Sequence, residues 1–192
     1  MTIHLTGTPV LETDRLTLRA FGAQDIAAAT AYLQTERTRY MGGPYSKAAA
    51  WDQCAGLIGH WVIHGFGLFA ICPKGTDTAI GDCGLLFLGG YPEIELGWGI
   101  WDPALEGRGY VREAAEAVRA HAYGPMGLTT LVSYIDPGNA RSIALARRLG
   151  CTRDASAVIP DLPDWDDTLI YRHPGPGAVP ERDEAGTAGA RA

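Results

Sequence analysis

Apolar residues recur along this chain with two different spacings, and the alternation of these spacings limits the folds that the chain can adopt. Residues 16–19 repeat apolar side chains at every second position, as a half-buried strand does. Residues 110–123 repeat them at the spacing of a helix with one apolar face. Strands that alternate with helices predict an α+β fold with a mixed sheet flanked by helices, and they argue against a helical bundle or a β-sandwich.

The same patterns place the other elements. Ser46 is suited to cap a long helix, and Asn139 is suited to cap another helix that ends at Gly150. A turn at residues 89–92 joins two strands into an antiparallel hairpin. A short helix is predicted over about residues 25–33. Besides 16–19, the predicted strands span residues 67–72, about 79–88, 93–101, 129–135, 151–154 and 168–172.

Composition and charge narrow the functional classes. Of the 192 residues, 46% are apolar, which excludes wholesale disorder, and the net charge of −6 argues against nucleic acid as the main partner. No apolar run approaches the ~18 residues of a membrane span, and residues 1–5 do not resemble a signal peptide. We therefore expect a soluble, cytoplasmic protein. Residues 1–173 are predicted to form one domain, and the Pro/Gly/Ala-rich residues 174–192 a disordered tail.

The cysteines and histidines show no spacing that is typical of a metal site. The four cysteines are scattered without a C-x-x-C pair, and three of them lie in apolar stretches. We therefore predict reduced thiols in the core. The histidines form no H-E-x-x-H pattern, so no metal is predicted.

A glycine-rich segment, Glu106-Gly107-Arg108-Gly109-Tyr110-Val111, connects a predicted strand to an amphipathic helix. Glycines leave consecutive amide N–H groups uncovered, and the first N–H groups of a helix have no partner within the helix. Together with the helix dipole they favour a phosphate or pyrophosphate, with Arg108 at the rim. A dinucleotide fingerprint requires a small residue where Arg112 stands, and a Walker loop requires Gly-Lys-Ser/Thr, so neither fits. An ordinary tight turn is the alternative.

Five ordered segments carry a resemblance to a known family. They are residues 9–19, Glu95-Leu96-Gly97-Trp98 with Trp101-Asp102-Pro103, residues 106–114, Asn139-Ala140-Arg141-Ser142 through Gly150, and Tyr171-Arg172-His173-Pro174. In this order they resemble the GNAT superfamily of acetyl-CoA-dependent N-acetyltransferases, in the branch similar to the ribosomal-protein-alanine acetyltransferases RimJ and RimL. Glu106 departs from the family pattern, where Gln or Arg is usual, and so does Val111, where Gly or Ala is usual.

The resemblance implies a GNAT-type mixed, mostly antiparallel central sheet with splayed middle strands, flanked by about four helices. The strands at 93–101 and 129–135 would diverge, with pantetheine between them and pyrophosphate on the glycine-rich segment. Gly97-Trp98-Gly99 fits a bulge, and a merely weak strand is the alternative. The residues implied to bind acetyl-CoA are Trp98, Gly99, Ile100, Glu106, Gly107, Arg108, Gly109, Tyr110, Val111, Asn139 and Ser142.

The implied reaction moves an acetyl group from acetyl-CoA directly to an amine of a small molecule or peptide. Glu95 is by motif position the candidate base, and Glu93 is the second candidate if the strand is regular, because both would then share one face. Two surface glutamates on a solvated strand edge are the alternative interpretation. Ala146 stands where many relatives outside this branch carry a tyrosine that acts as the general acid. Ser142 is then a candidate acid, and a water molecule or no acid at all are the alternatives.

The sequence says less about where the acceptor amine binds. Tyr40, Tyr45 and Trp98 are candidates to line an aromatic pocket, whereas Trp51 and Trp61 fall at helical spacing and are expected in the core. Arg37 is expected to be solvated. A homodimer is a further expectation. A GNAT-fold protein that binds or senses acyl-CoA without turnover is the alternative function.

Overall fold

The computed structural model describes residues 6–178, and within them the chain forms an eight-stranded sheet flanked by helices. The strand order is β1-β2-β3-β4-β5-β6-β8-β7, and all neighbours are antiparallel except β5 and β6. The predicted fold class is confirmed. The strands are β1 (Leu11–Glu12), β2 (Leu16–Ala20), β3 (Leu68–Pro73), β4 (Gly81–Leu86), β5 (Glu95–Ile100), β6 (Val132–Ile135), β7 (Thr152–Arg153) and β8 (Leu169–Arg172).

Four α-helices pack on the sheet in the described part of the chain, and their termini follow the local sequence. Ser46 caps the second helix by accepting a hydrogen bond from the Ala49 amide, and Gly65 ends it with a positive φ of 74°. Asn139 caps the fourth helix in the same way. The helices are α1 (Ile26–Leu33), α2 (Lys47–His64), α3 (Tyr110–Tyr123) and α4 (Ala140–Arg148), with short 3-10 turns at Ala23–Asp25, Glu36–Met41 and Pro103–Leu105.

The hairpin of β4 and β5 is antiparallel, as predicted. Its register is regular, one residue opposite one, from the pair Leu86 and Glu95 to the pair Gly81 and Ile100. A bulge would place two residues of one strand opposite a single residue of the other. The expected bulge at residues 97–99 is therefore wrong with respect to β4, and β5 is a regular strand that begins at Glu95 rather than at residue 93.

The two middle strands diverge. β5 and β6 pair in parallel at a single position, Glu95 opposite Val132, whereas β4 and β5 pair at six. Beyond this point the edge of β5 that faces β6 has no strand beside it. A gap therefore opens between the two strands, towards their carboxyl ends. The predicted splay is confirmed.

Apolar side chains fill both faces of the sheet. On one face, α3 buries its small residues Ala114, Ala115, Val118 and Ala122, at the predicted helical spacing. The other face is covered by α1 and α2. All four cysteines are buried free thiols, as predicted. No helix among residues 6–178 is long and apolar enough to cross a membrane.

The two tryptophans of α2 differ in exposure. Trp61 is buried, and its ring packs edge-on against Phe69 with centroids 4.9 Å apart, as predicted. Trp51 is 58% exposed, so its expected place in the core is wrong. Ala50, one position earlier, is fully buried, whereas residues 55 and 62, on the same side of α2 as Trp51, are exposed, so this side of the helix faces away from the sheet. The tail predicted for residues 174–192 lies outside the described residues from position 179 onward.

Candidate active site

Backbone groups of β5 point into the gap between β5 and β6. In an antiparallel pair, alternate residues bond to the same neighbouring strand. The amide of Trp101 donates to the Ile80 carbonyl on the β4 side, at 2.9 Å. The carbonyl of Leu96 instead accepts a hydrogen bond from Ser133 Oγ of β6, at 2.6 Å. Even-numbered residues of β5, Trp98 among them, therefore direct their N–H and C=O groups towards the gap.

A buried polar network joins the diverging strands. The Ser133 hydroxyl donates to Leu96, and its oxygen lies 3.0 Å from His173 Nε2, which donates in turn. His173 is 3% exposed, and burial lowers its pKa to about 3, so the imidazole is neutral near pH 7. No signal in the sequence pointed to this network, because its three members come from β5, β6 and the end of β8.

The glycine-rich segment at residues 106–111, called the glycine loop below, bends as the sequence predicts. Gly107 and Gly109 have φ angles of 74° and 79°, a region that side chains disfavour, and α3 begins directly afterwards at Tyr110. The first N–H groups of α3 are therefore not covered by a preceding turn. Arg15 holds the loop from outside, since its guanidinium donates to the Arg108 carbonyl at 3.0 Å and lies over the Tyr110 ring.

Glu106 ties the glycine loop to two other elements. Its carboxylate pairs with Arg37 at 2.6 Å and with Arg141 of α4 at 2.7 Å. Partial desolvation opposes ionisation, but the two arginine hydrogen bonds outweigh it and lower the pKa of Glu106 below its ordinary value. Arg37 also donates to the Ile100 carbonyl at the end of β5, at 2.8 Å. The expectation that Arg37 is solvated is therefore wrong, because a carboxylate and a carbonyl hold it.

A cavity of about 550 Å³, called the central cavity, lies between the sheet and the segment that contains α1 and α2. It reaches from α2 across β4 and β5 to the start of α4. Several predicted residues meet at its wall. They are Tyr40, Tyr45, Glu95, Trp98, Asn139 and Ser142.

Glu95 projects into the central cavity from the first position of β5. Its side chain leans over Gly97, where a Cβ would lie 3.8 Å from the carboxyl carbon. The residue is 8% exposed. Burial raises the pKa of Glu95 to about 7, although the Tyr91 hydroxyl and the Tyr134 amide act in the opposite direction. A carboxyl group with this pKa can accept and release a proton near neutral pH.

Glu93 does not join Glu95 in the central cavity. It precedes β5, and its carboxylate forms two hydrogen bonds of 2.8 Å with the Arg172 guanidinium. These bonds lower the pKa of Glu93. The premise of a regular strand through residue 93 is wrong, and with it the expectation that the two glutamates share a face.

Asp82 of β4 is a cavity residue that the sequence reasoning did not identify. It is 9% exposed, and its Oδ2 accepts a hydrogen bond from Trp101 Nε1 at 2.6 Å. Burial raises the pKa of Asp82 to about 6, against the lowering effect of the Trp101 hydrogen bond. The available signal was a charged residue inside the apolar run at residues 79–88.

Asn139 and Ser142 meet at the start of α4. The Asn139 side chain accepts a hydrogen bond from the Ser142 amide at 3.2 Å, which confirms the predicted cap. Ala146, one turn further along α4, is buried in the core. Among the residues that the structure describes, no three His, Cys, Asp or Glu side chains are grouped to hold a metal ion.

The sequence of this chain matches a family model and a curated relative. A family model described as the acetyltransferase (GNAT) domain matches residues 15–152. YnaD, an uncharacterised N-acetyltransferase of Bacillus subtilis, is 26% identical over 105 residues, which are 54% of this chain and 61% of that protein. This chain therefore matches about three fifths of the length of that relative.

Solved structures share the fold over most of the chain. A crystal structure of an acetyltransferase from Agrobacterium tumefaciens is 35% identical with a TM-score of 0.80, over 90% of this chain and 98% of that one. RimL, a ribosomal-protein acetyltransferase solved in complex with coenzyme A, has a TM-score of 0.67 at 17% identity, over 86% and 97% of the two chains. The family match, the diverging middle strands and the glycine loop agree: this chain belongs to the GNAT family of acetyltransferases, whose enzymes use acetyl-CoA.

Proposed function

We propose that this protein is an N-acetyltransferase that transfers an acetyl group from acetyl-CoA directly to a primary amine. The observation that carries the proposal is a gap between two strands that is lined by free backbone groups and opens beside a buried carboxyl group, Glu95. Membership of the family supports acetyl transfer in general. The geometry supports an amine acceptor, because an amine must lose a proton in order to react.

The glycine loop and the gap are suited to the two ends of the cofactor. The uncovered amides at Gly109, Tyr110 and Val111 and the nearby guanidinium of Arg15 favour a diphosphate group. The backbone groups of Trp98 and the N–H group of Ile100 can pair with the amides of a pantetheine arm, as an added strand would. Gly99 leaves that stretch of β5 without a side chain, and Asn139 and Ser142 bound the far side of the cavity.

Acetyl-CoA supplies an activated acetyl group as a thioester. Glu95 accepts the proton of the substrate ammonium, and the free amine attacks the carbonyl carbon. The N–H groups of β5 that face the gap are placed to stabilise the oxyanion. When the carbon–sulfur bond breaks, the electron pair leaves with sulfur. The nitrogen loses its second proton in the same step, and Ser142 is the candidate to pass that proton on to the thiolate. Glu93 has no part in this scheme, because Arg172 holds it outside the cavity.

The order of the five family segments supports a relation to the RimJ and RimL branch, and the absence of a membrane-spanning helix among residues 6–178 agrees with a cytoplasmic location. The family match over residues 15–152 agrees with a single domain over residues 1–173. We further propose a homodimer as the state to be tested by light scattering.

A thiol-release assay tests the proposed function. The full chain is incubated with acetyl-CoA and a panel of primary amines, peptides among them, and free CoA is measured against buffer. We expect release that depends on both the protein and one class of amine. Binding of acetyl-CoA with no release beyond buffer for any amine would contradict the proposal and favour a sensor, for which the alanine at position 146 is the motivating feature.

A further inference from the structure

The side chains that line the central cavity have charges of one sign only. Four carboxylic acids line it, and among the described residues no lysine or arginine does. His60 also lines it, but its Nδ1 donates to the Phe66 carbonyl and its Nε2 accepts from the Phe87 amide, which fixes a neutral ring. The four acidic residues are Asp52, Asp82, Glu95 and Asp136.

Of the four acidic residues, Asp82 has the charge that neighbouring groups balance least. It lies more than nine-tenths buried, and within residues 6–178 its Oδ1 accepts no hydrogen bond, since Trp101 engages only Oδ2. A buried carboxylate without a cationic partner is costly, and a bound cation removes that cost. Oδ1 lies over Gly99, 3.2 Å from the place where a Cβ would stand, on the face of β5 that borders the cavity.

The carboxyl groups of Asp82 of β4 and Glu95 of β5 lie over two different positions of β5. The Glu95 carboxyl lies over Gly97, and the Asp82 carboxyl lies over Gly99. Two residues of a strand advance about 7 Å, so the two carboxyl groups are separated by a distance on that order. The glycines at both positions leave the floor between the carboxyl groups free of side chains.

Aromatic rings flank both carboxyl groups. Tyr91 packs against Tyr134 and Trp165 beside Glu95, with centroid distances of 5.0 and 5.8 Å. Trp101, the partner of Asp82, packs against Phe21 at 5.8 Å. Aromatic faces next to carboxylates favour cations, whose charge the π-systems attract.

A segment beside the cavity adds the same sign of charge. Leu162 and Trp165 line the cavity and come from the segment between β7 and β8. This segment also carries four exposed aspartates, whose field favours cations near the cavity. They are Asp161, Asp164, Asp166 and Asp167.

We propose that the acceptor is a small dication, in which a primary amine and a second cationic nitrogen are joined by an apolar chain of about four carbons. The proposal rests on the proposed function and specifies its substrate class. Glu95 takes the reacting end and receives its proton. Asp82 binds the second ammonium, which stays protonated throughout. A chain of four carbons separates its nitrogens by roughly the interval between the two carboxyl groups.

A matched set of acceptors tests this. The full chain with acetyl-CoA is given 1,4-diaminobutane, n-pentylamine or 4-aminobutanoate, which share the reacting amine and differ at the far end: a cation, a methyl group or an anion. We expect kcat/KM for the diamine, corrected for its two equivalent amines, to exceed that for n-pentylamine at least about tenfold. The reason is that only the diamine can form a charge-assisted hydrogen bond at the far end. The 4-aminobutanoate should be the poorest. Equal rates, or a preference for 4-aminobutanoate or for a tetrapeptide with a free N-terminus, would overturn the proposal.

The two proposals fail in different ways. If no amine releases CoA, the proposed function is wrong, and calorimetric titration of the same three amines in the presence of CoA decides the substrate class on binding alone. Tighter binding of the diamine supports the dication site, and equal binding overturns it.

A variant of Asp82 tests whether this residue causes the preference for the diamine over n-pentylamine. Asp82→Asn keeps the shape and an acceptor oxygen for Trp101 but removes the charge, so the ratio of diamine to n-pentylamine should fall towards one. Asp14→Asn removes the same charge from an exposed residue outside the cavity and should keep the wild-type ratio. An unchanged ratio in Asp82→Asn would contradict the role of Asp82, and the wild-type comparison stands even if that variant does not fold.

Discussion

The glycine loop and the central cavity differ in the charged side chains around them and depend on different parts of the chain. Arginines surround the loop, with Arg15 and Arg141 among them, whereas the cavity is lined by carboxylates such as Asp82 and Glu95. The loop acts mainly through backbone amides within six consecutive residues. The cavity acts through side chains from α2, β4, β5 and α4. The difference shows that the proposed phosphate site is local in sequence, whereas the proposed acceptor site is assembled by the fold.

The largest expected effect is on the cavity side. Glu95→Gln should lower kcat/KM about 10²-fold or more, because the amide cannot accept the proton of the amine. In the wild type kcat/KM should rise with pH through an apparent pKa near 7, since the base acts in its ionised form and burial raises the pKa of Glu95 to about 7. The pH profile and steady-state kinetics measure both effects.

Glu93→Gln is the matched control for this variant. It changes the same functional group two residues away, but outside the cavity. We expect a nearly wild-type kcat/KM and the same inflection near pH 7. Unchanged turnover of Glu95→Gln across the pH range would remove Glu95 from the mechanism.

The next largest effect is expected on the loop side. Gly109→Leu should weaken CoA binding about tenfold or more by calorimetry, because the side chain covers the amides at the start of α3 and strains a residue with a φ of 79°. Gly127→Leu imposes similar strain at a φ of 68°, outside the glycine loop, and controls for stability. Equal CoA affinity in the two variants would contradict the phosphate assignment.

A smaller effect is expected where the two regions meet. Ser133→Ala removes the hydroxyl that joins Leu96 to His173 and leaves buried polar groups without a partner. The free energy of unfolding should fall by about 1–3 kcal/mol, and KM for acetyl-CoA should rise several-fold as the gap loses its spacing. Denaturant titration and kinetics measure these changes. Ser156→Ala, at an exposed hydroxyl, should change neither; a loss of stability of the same size there would show that the Ser133 effect is not specific.

The smallest effect is expected at the boundary of the glycine loop. Glu106→Gln removes the carboxylate that Arg37 and Arg141 share, so both guanidinium groups become available to a phosphate. CoA should bind about two- to fivefold tighter at low salt, and the gain should shrink at high salt because exposed ion pairs are screened. Glu116→Gln removes an equal charge from α3, outside the loop. A gain in that control as large as in Glu106→Gln would indicate a general charge effect.

The elements of the fold were predictable because their signals are local. Periods of two and 3.6 residues identified the strands and helices, and the caps at Ser46 and Asn139 involve residues three positions apart. Glu95 was identified by its position in a motif. The motif did not show that Glu95 is buried, and burial is what raises the pKa of Glu95.

The errors share a physical cause. Glu93 and Arg37 were assigned from their neighbours in sequence, but their partners, Arg172 and the Ile100 carbonyl, lie 79 and 63 residues away. Trp51 has the spacing of a core residue, yet it lies on the outer side of α2. Asp82 was not identified, since a charged residue in a strand is notable only when both sides of the strand are known to be covered.

By itself, the sequence determined the secondary structure, the uncovered amides of the glycine loop and the family, because hydrogen bonds within a turn depend on residues only a few positions apart. Only the tertiary structure decided which carboxyl groups are buried, which arginines they pair with and what lines the central cavity. Burial and charge pairing act through space, and this fold brings together residues that are 40 or more positions apart, such as Ser133 and His173.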